Sequence, residues 1–342
     1  MLLVSASAAL GGAERVLLDW TGGLEGPLLL ACPPGALAAA AAMEVAPLRA
    51  RSVRRRGRRV AAAADLAGLA REIGAVAGRT RPAVVVASGA RAVLAAAAAR
   101  LGGAALVALH HDLPPGPITG ALLRAASWRA AASVATSRAI AGPLGGATVI
   151  HPGVDVDAWA LPDPPSGPPR ALVLGALVPW KRADLALEIA ARVPELALDV
   201  AGAPLPGDAP AFAAGVRERA RRPDLASRVR LLGNVEDPRT ALRDSHVLLH
   251  CADREPFGLA LVEALAAGRP VVAPAAGGPL EIVTPGAGVL FTPGDAASGA
   301  AAVRAALTGV VTATAARERA RAFAGTVARA RFAAVVAAAQ RS

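Results

Sequence analysis

Two carboxylates, Glu255 and Glu263, sit with seven residues between them in REPFGLALVEALAAGRPVVAP (254–274), and the second falls inside a run that is otherwise almost wholly apolar. Leu259 to Ala267 are good helix formers, Gly268 is a C-terminal stop, and Pro270 bars continuation before VVAP resumes as a short strand. The segment therefore reads loop, helix, strand. With one polar side chain in ten, GLALVEALAA is expected to be buried nearly all round. A buried carboxylate without a partner is costly, so Glu263 requires an arginine, a set of backbone amides or a ligand that donates hydrogen bonds. The helix start near Phe257 and Gly258 offers free N–H groups and the positive end of the helix dipole, which suits an anionic ligand. One ligand could then be held at both ends, hydroxyls by carboxylates and phosphates by amides.

Missing motifs narrow the chemistry. No G-x-G-x-x-G follows a strand, which argues against a dinucleotide-linked dehydrogenase. A P-loop is excluded because the only lysine, Lys181, follows Trp180 and not glycine. Asp155 and Asp157 look like an acidic metal-binding pair, but they sit in a proline-rich stretch without a carboxylate cluster around them. The five histidines include no H-E-x-x-H pair, against a zinc hydrolase. No metal is expected. Cys32 and Cys251 lie in apolar, strand-like contexts and are expected to be buried free thiols.

The elements that must position these residues repeat. Apolar strand segments LLVS, PLLLAC, EVAPL, AVVVAS, AALVAL, ASVATS and ATVIH alternate with stretches rich in Ala, Leu and Arg. This βα repeat predicts a parallel sheet with helices on both faces. After Ile150, HPGVDVDAWALPDPPSGPPR carries six prolines between 152 and 169 and reads as an interdomain linker. The pattern restarts with RALVLGA, LALDVAG, RVRLLG, HVLLHCA, PVVAP and GVLFT. The expected organisation is an α/β protein of two doubly wound, Rossmann-like domains, 1–160 and 161–311, facing each other across a cleft, with closing helices over 312–342. Ligands are expected at the carboxyl ends of the strands.

A chain of 342 residues has room for two ordinary cores. Pro, Gly or Arg interrupts every long apolar run, so no transmembrane helix is expected. MLLVSASAALGGAER lacks a basic leader and runs into a Gly-Gly turn, which favours a first strand over a signal peptide and a cytoplasmic protein. The net charge of +11 rests on 36 arginines and one lysine, and seven of those arginines (Arg49, Arg51, Arg54, Arg55, Arg56, Arg58 and Arg59) lie in RARSVRRRGRR. That local field suits an anionic membrane surface, a phosphate-bearing acceptor or nucleic acid, or is a solvated loop in an arginine-rich protein. A basic nucleic-acid-binding protein is the reading of a different class. It lacks interleaved aromatics, since 3% of residues are aromatic and tyrosine is absent, so nucleic acid is not the expected partner.

At EPFGLALVEALAAGRPVVAPAAGGPLEIV the sequence resembles the retaining glycosyltransferases of family 4, which have the GT-B fold. GGAERVLLDW, HPGVDVDAW, GALVPWKRADLALE, VRLLGNVED and PGDAASGAAAV are similar to further family segments in the same order, so that the resemblance covers most of the chain. It implies that Glu263 holds the ribose hydroxyls of a nucleotide sugar, that Glu255 contacts the transferred sugar, and that amides around Phe257, Gly258 and Leu259 hold sugar and phosphate. Lys181 is similar to the family lysine that neutralises the leaving diphosphate, a site suited to a compact ammonium. Where Gly-Arg is usual before that lysine this chain has Gly175-Ala176, and Arg182 is the expected substitute cation. Gly11 and Gly12 would let backbone approach the phosphate from the first domain. His111, or its neighbour His110, is implied beside the donor sugar, and Asn234 in the region of the base. Glu281 is placed to support the Gly277-Gly278 loop. The activity implied is transfer of a hexosyl unit from a nucleoside diphosphate sugar to a glycan, lipid-linked or small-molecule acceptor, without cofactor. A sugar phosphorylase or nucleotide-sugar epimerase of the same fold is the nearer alternative.

Overall fold

The computed structural model describes residues 1–50, 59–164, 166–204 and 210–341. Arg51 to Arg58, most of the arginine cluster, lie outside them. The chain divides into two compact units, 1–152 with 326–342, and 153–325. The boundaries thus differ from 160/161 and from a separate tail. Val154 and Leu161 of the proline-rich segment are buried in the second unit's core, where Val154 also bridges to Ala324. The last helix instead counts with the first unit.

In the first unit β1 (Leu2–Ser5), α1 (Gly12–Thr21), β2 (Leu29–Cys32), α2 (Ala36–Ala40), β3 (Glu44–Pro47), α3 (Arg59–Thr80) and β4 (Val84–Ser88) come first. They are followed by α4 (Ala90–Ala98), β5 (Ala105–His110), α5 (Pro117–Arg129), β6 (Ala132–Ala135), α6 (Arg138–Leu144) and β7 (Thr148–Val149). The second unit holds β8 (Arg170–Leu174), a 3-10 turn (Pro179–Lys181), α7 (Ala183–Ala191), β9 (Ala197–Ala201), α8 (Pro210–Ala220), β10 (Val229–Gly233), α9 (Pro238–Arg243) and β11 (Val247–Leu249). It continues with α10 (Leu259–Ala266), β12 (Val271–Pro274), α11 (Pro279–Ile282), β13 (Gly288–Phe291), α12 (Ala296–Leu307) and α13 (Ala313–Arg321); α14 (Gly325–Arg341) closes the chain. Every strand segment expected from the sequence forms a strand. On α14, Phe332 packs on Trp20 of α1 with ring centroids 4.9 Å apart, and Arg329 pairs with Asp19 at 2.6 Å. These contacts explain why α14 belongs to the first unit, whereas α13 stays with the second.

Both sheets are parallel throughout, with strand orders β3-β2-β1-β4-β5-β6-β7 and β10-β9-β8-β11-β12-β13. Strand alternation sorts the second unit's core into two layers. Ala171, Val173, Val247, Leu249 and Val272 belong to one cluster, while Leu172, Leu248, Val271 and Ala273 belong to the other. Both faces are therefore buried, as near-continuous apolar strands require.

Each order reverses once, between β1 and β4 and between β8 and β11. At such a switch point successive connections leave in opposite directions and open a crevice at the carboxyl ends of the strands. In the second unit, two further loops close in on it. Gly278 donates its N–H to the Glu255 carbonyl at 2.9 Å, and a Cβ on Gly278 would strike the backbone of Phe257. Gly277 has φ +63, and a Cβ there would lie 2.5 Å from the Glu255 oxygen. The Gly-Gly pair is thus a packing requirement of the loop that carries Glu255. Gly278→Ala should destabilise the protein by about 1–3 kcal/mol, the usual cost of overpacking. Gly215→Ala, in helix α8 with nothing within 4 Å, should be neutral or stabilising in the same urea titration. Equal stability of the two variants would show that the loops do not bear on each other as described.

Candidate active site

Lys181 and Glu255 are 74 positions apart in the chain, yet Lys181 Nζ lies 2.6 Å from Glu255 Oε2. The switch point brings them together: Lys181 follows β8 and Glu255 follows β11, the two strands between which the order reverses. The Glu255 side chain is buried, at 8% exposure, while that of Lys181 keeps 24%. Lys181 Nζ also lies 4.4 Å from the centroid of the exposed Trp180 ring, a cation–π distance.

The buried His250, the first residue after β11, places Nε2 3.2 Å from the same Glu255 oxygen. Nε2 has no hydrogen-bond partner of good geometry there, so the contact is a close approach and not a well-formed hydrogen bond. Burial pushes the Glu255 carboxyl up, but His250 and the Lys181 charge outweigh it and hold the carboxyl at about 2. Glu255 is therefore a carboxylate at any physiological pH. Sequence reasoning passed over His250. Its signal was present, a histidine ending an apolar strand five residues before Glu255, but no spacing rule names it.

Arg182 does not stand free as a substitute cation. Its guanidinium is engaged by Asp184 at 3.1 Å and by Asp253 at 2.9 Å. Asp253 N–H also donates to the Trp180 carbonyl at 3.0 Å. Arg182 itself takes a left-handed backbone, φ 54, as it turns the chain into α7. Its role in this arrangement is to tie the loop after β8 to the loop after β11. Gly175, with φ +144, has Lys181 Cδ and Cε 3.9 Å from where a Cβ would be, so a small residue there leaves room for the lysine stem.

Helix α10 starts at Gly258, in a left-handed conformation with φ 107 and with no side chain capping the first turn. Gly258 has no side chain to cap the first-turn amides at Leu259 and Ala260, which follow the buried Phe257. Glu263 on the same helix is half-buried, not enclosed as expected, because the helix turns Leu261, Val262, Ala264 and Leu265 into the core and leaves Glu263 with Leu259 and Ala260 on its outer side. The fully buried arginine nearby, Arg269, is held by the carbonyls of Leu242, Ala267, Pro162 and Arg243.

The other expected site residues sit on other elements. Asn234 is exposed beyond the edge strand β10, with β9 and β8 between it and β11. Gly11, Gly12, His110 and His111 are in the first unit. Gly11 N–H donates to Glu14 Oε2 at 3.1 Å, a capping interaction of α1. His110 Nε2 is 3.0 Å from Ser127 Oγ, and His111 Nε2 is 3.0 Å from Ser88 Oγ. Burial lowers His110 to about 4; burial and the neighbouring His110 lower His111 to about 3, so both rings are neutral near pH 7. Asp155 accepts from Ala158 N–H at 3.1 Å and caps a turn. Among the described residues no group of three His, Cys, Asp or Glu is placed to hold a metal ion.

Residues 162–323 match the glycosyl transferases group 1 family. Over 141 residues the chain is 33% identical to the D-inositol 3-phosphate glycosyltransferase of Mycobacterium tuberculosis, covering 38% of this chain and 29% of that protein. The match thus spans less than a third of the relative's length. Several solved structures cover nearly the whole chain. Anabaena HepE in complex with UDP and glucose has a TM-score of 0.83 at 23% identity, covering 98% of each chain. The sucrose-phosphate synthase of Thermosynechococcus elongatus has a TM-score of 0.81 at 17% identity, covering 97% of this chain and 96% of that one. The chain has the two-domain α/β GT-B fold.

Glu255 binds its proton more weakly in the folded chain than its ordinary value of 4.5. Its stabilising contribution is therefore complete above that value and is lost as pH falls through about 2. Glu255→Gln should melt below wild type at pH 7, and the gap should shrink between about pH 4.5 and pH 2, the two values that bound the shift. Differential scanning calorimetry of both proteins at pH 7, 5, 4 and 3 checks this. A gap independent of pH would place the effect in packing and not in charge.

Proposed function

We propose that this protein, whose residues 162–323 match the glycosyl transferases group 1 family, moves a hexosyl unit from a nucleoside diphosphate sugar to an acceptor hydroxyl, with the anomeric configuration retained. The observation that carries the reading is the Lys181–Glu255 pair at the switch point of the second sheet. A carboxylate for hydroxyls, an ammonium for phosphate and an uncapped helix start meet there within a few residues. No metal is required in this reading, because the positive potential comes from Lys181 and the α10 amides.

Donor diphosphate would compete with Glu255 for Lys181 Nζ. The released carboxylate, ionised and backed by His250 at 3.2 Å, is then free to accept hydrogen bonds from the sugar. Glu263 on the outer side of α10 takes the ribose hydroxyls. From the first unit, His111 or His110 meets the sugar as a neutral ring, and the Gly11-Gly12 turn meets the phosphate. In the transfer step the bond from the anomeric carbon to the leaving phosphate oxygen breaks on the face where the acceptor oxygen bonds, and the acceptor proton passes to that phosphate oxygen. Negative charge grows on the diphosphate as the bond breaks, which is where a fixed ammonium contributes most. HepE was crystallised with UDP and with UDP-glucose, which makes UDP the first nucleotide to test, and the M. tuberculosis relative is named for an inositol phosphate acceptor. The acceptor class proposed here is a glycan, lipid-linked or small-molecule hydroxyl.

A thermal-shift screen of UDP, GDP and ADP followed by their sugars tests donor binding, and proton NMR of the product's anomeric signal tests retention; an inverted product overturns that part. Lys181→Ala should lower kcat by about 100-fold or more while UDP still raises Tm. The substitution also strands a buried carboxylate, so its own Tm should fall, and Lys181→Ala with Glu255→Gln should recover Tm without recovering turnover. Turnover within about threefold of wild type, far short of a lost electrostatic stabiliser, would remove Lys181 from the reaction. Glu263→Gln should weaken UDP and intact donor alike, by about tenfold or more for a charge-assisted hydrogen bond. Calorimetry showing unchanged UDP affinity would place Glu263 elsewhere.

A further inference from the structure

Helix α5 in the first unit is apolar on two sides. Its inner side seats Gly120, Leu123, Ala126 and Ser127 in the core. Its outer side leaves Ile118 at 68%, Leu122 at 52% and Trp128 at 71% exposure. Their helical spacing, with the exposed Ala121 and Ala125 between them, makes one continuous stripe. Among the described residues no other helix exposes more than one large apolar side chain. Scattered single exposures need no explanation, whereas a stripe on one helix marks a surface that is covered in use.

The charges around the stripe say by what. Arg124 and Arg129 are both exposed on α5, and the chain carries no acidic residue between Asp112 and Asp155. Arg124 Nε donates to the Pro143 carbonyl at 3.1 Å, which ties the side chain to α6. A second copy of the chain docking on this stripe would set arginine against arginine without a carboxylate from the same segment to relieve it. An anionic bilayer presents the complementary arrangement: phosphates outside for the guanidinium groups, acyl chains beneath for the apolar side chains, and a boundary where an indole ring is well accommodated. Among the described residues no helix is long and apolar enough to cross a membrane.

We propose that the outer face of α5 is a docking surface for anionic lipid, with Ile118, Leu122 and Trp128 entering the headgroup–acyl boundary and Arg124 and Arg129 meeting the headgroup phosphates. The proposal stands apart from the transfer reading, because lipid binding is measured without donor or acceptor.

The test is co-sedimentation of the full chain with phosphatidylglycerol–phosphatidylcholine vesicles and with pure phosphatidylcholine vesicles at low and high salt. Wild type should pellet with the anionic vesicles, less so at high salt. The triple variant Ile118→Ser, Leu122→Ser, Trp128→Ser should bind them about tenfold or more weakly with an unchanged Tm. Arg124→Ser with Arg129→Ser should weaken binding and flatten its salt dependence, and serves as a second variant with the apolar stripe intact. Absence of wild-type binding overturns the proposal. So does full binding by both variants, which would move the attraction elsewhere, for example to the arginines at 54–56. A concentration-dependent dimer that the triple variant abolishes, without vesicle binding, would assign the stripe to a second copy instead.

Discussion

Burial of the Glu255 carboxylate against the Lys181 ammonium is the interaction around which the second unit's strand-end loops are arranged. The carboxylate is recessed and the ammonium reaches outward, so each loop is held by what the other supplies. Asp253 repeats the arrangement one layer out, taking the Arg182 guanidinium on its side chain and giving its N–H to Trp180. Gly277 and Gly278 lie against the backbone of Glu255 and Phe257 from a third loop. Substitution in any of these loops is therefore felt at the carboxylate.

Such a pair is a poor means of stabilising a protein. Desolvation of two charges offsets much of their attraction, and an apolar pair of similar volume would hold the loops as well or better by about 1–4 kcal/mol. A pair that is half-open at the carboxyl edge of a sheet, beside a helix start without a cap, makes physical sense as a site whose charges have a second partner. Asp199 is the contrast. It is as deeply buried, but Arg170 and Arg230 close on it from the neighbouring strands β8 and β10 within the sheet. That cluster is fixed by strand register within the sheet and not by loops at the strand ends.

The two units solve the same topological problem with different chemistry. At the first unit's switch point Glu14 caps Gly11, and Arg91 of α4 donates to the Ala6 carbonyl at 3.2 Å. The histidines after β5 are paired with serines and kept neutral by burial.

Much of this protein was legible from the chain alone. The strands were, because an apolar run of four to six residues bounded by Gly, Pro or a helical stretch has few other ways to fold when both its faces are buried. Lys181, Glu255 and the Gly-Gly pair stood out by residue type and motif. What the sequence could not supply was partnership across distance. That Lys181 meets Glu255, and that Arg182 is spent on Asp184 and Asp253, follows from strand order, which no local pattern encodes. Glu263 was expected inside because its neighbours are apolar; whether one position on a short helix faces in or out depends on which neighbours pack against it. His250 carried no motif, and α14 meets the first unit at residues such as Trp20 and Asp19, more than 300 positions earlier. Periodicity and turn chemistry act over a few residues and are written locally, whereas a site at a switch point exists only once two strands distant in the chain lie side by side.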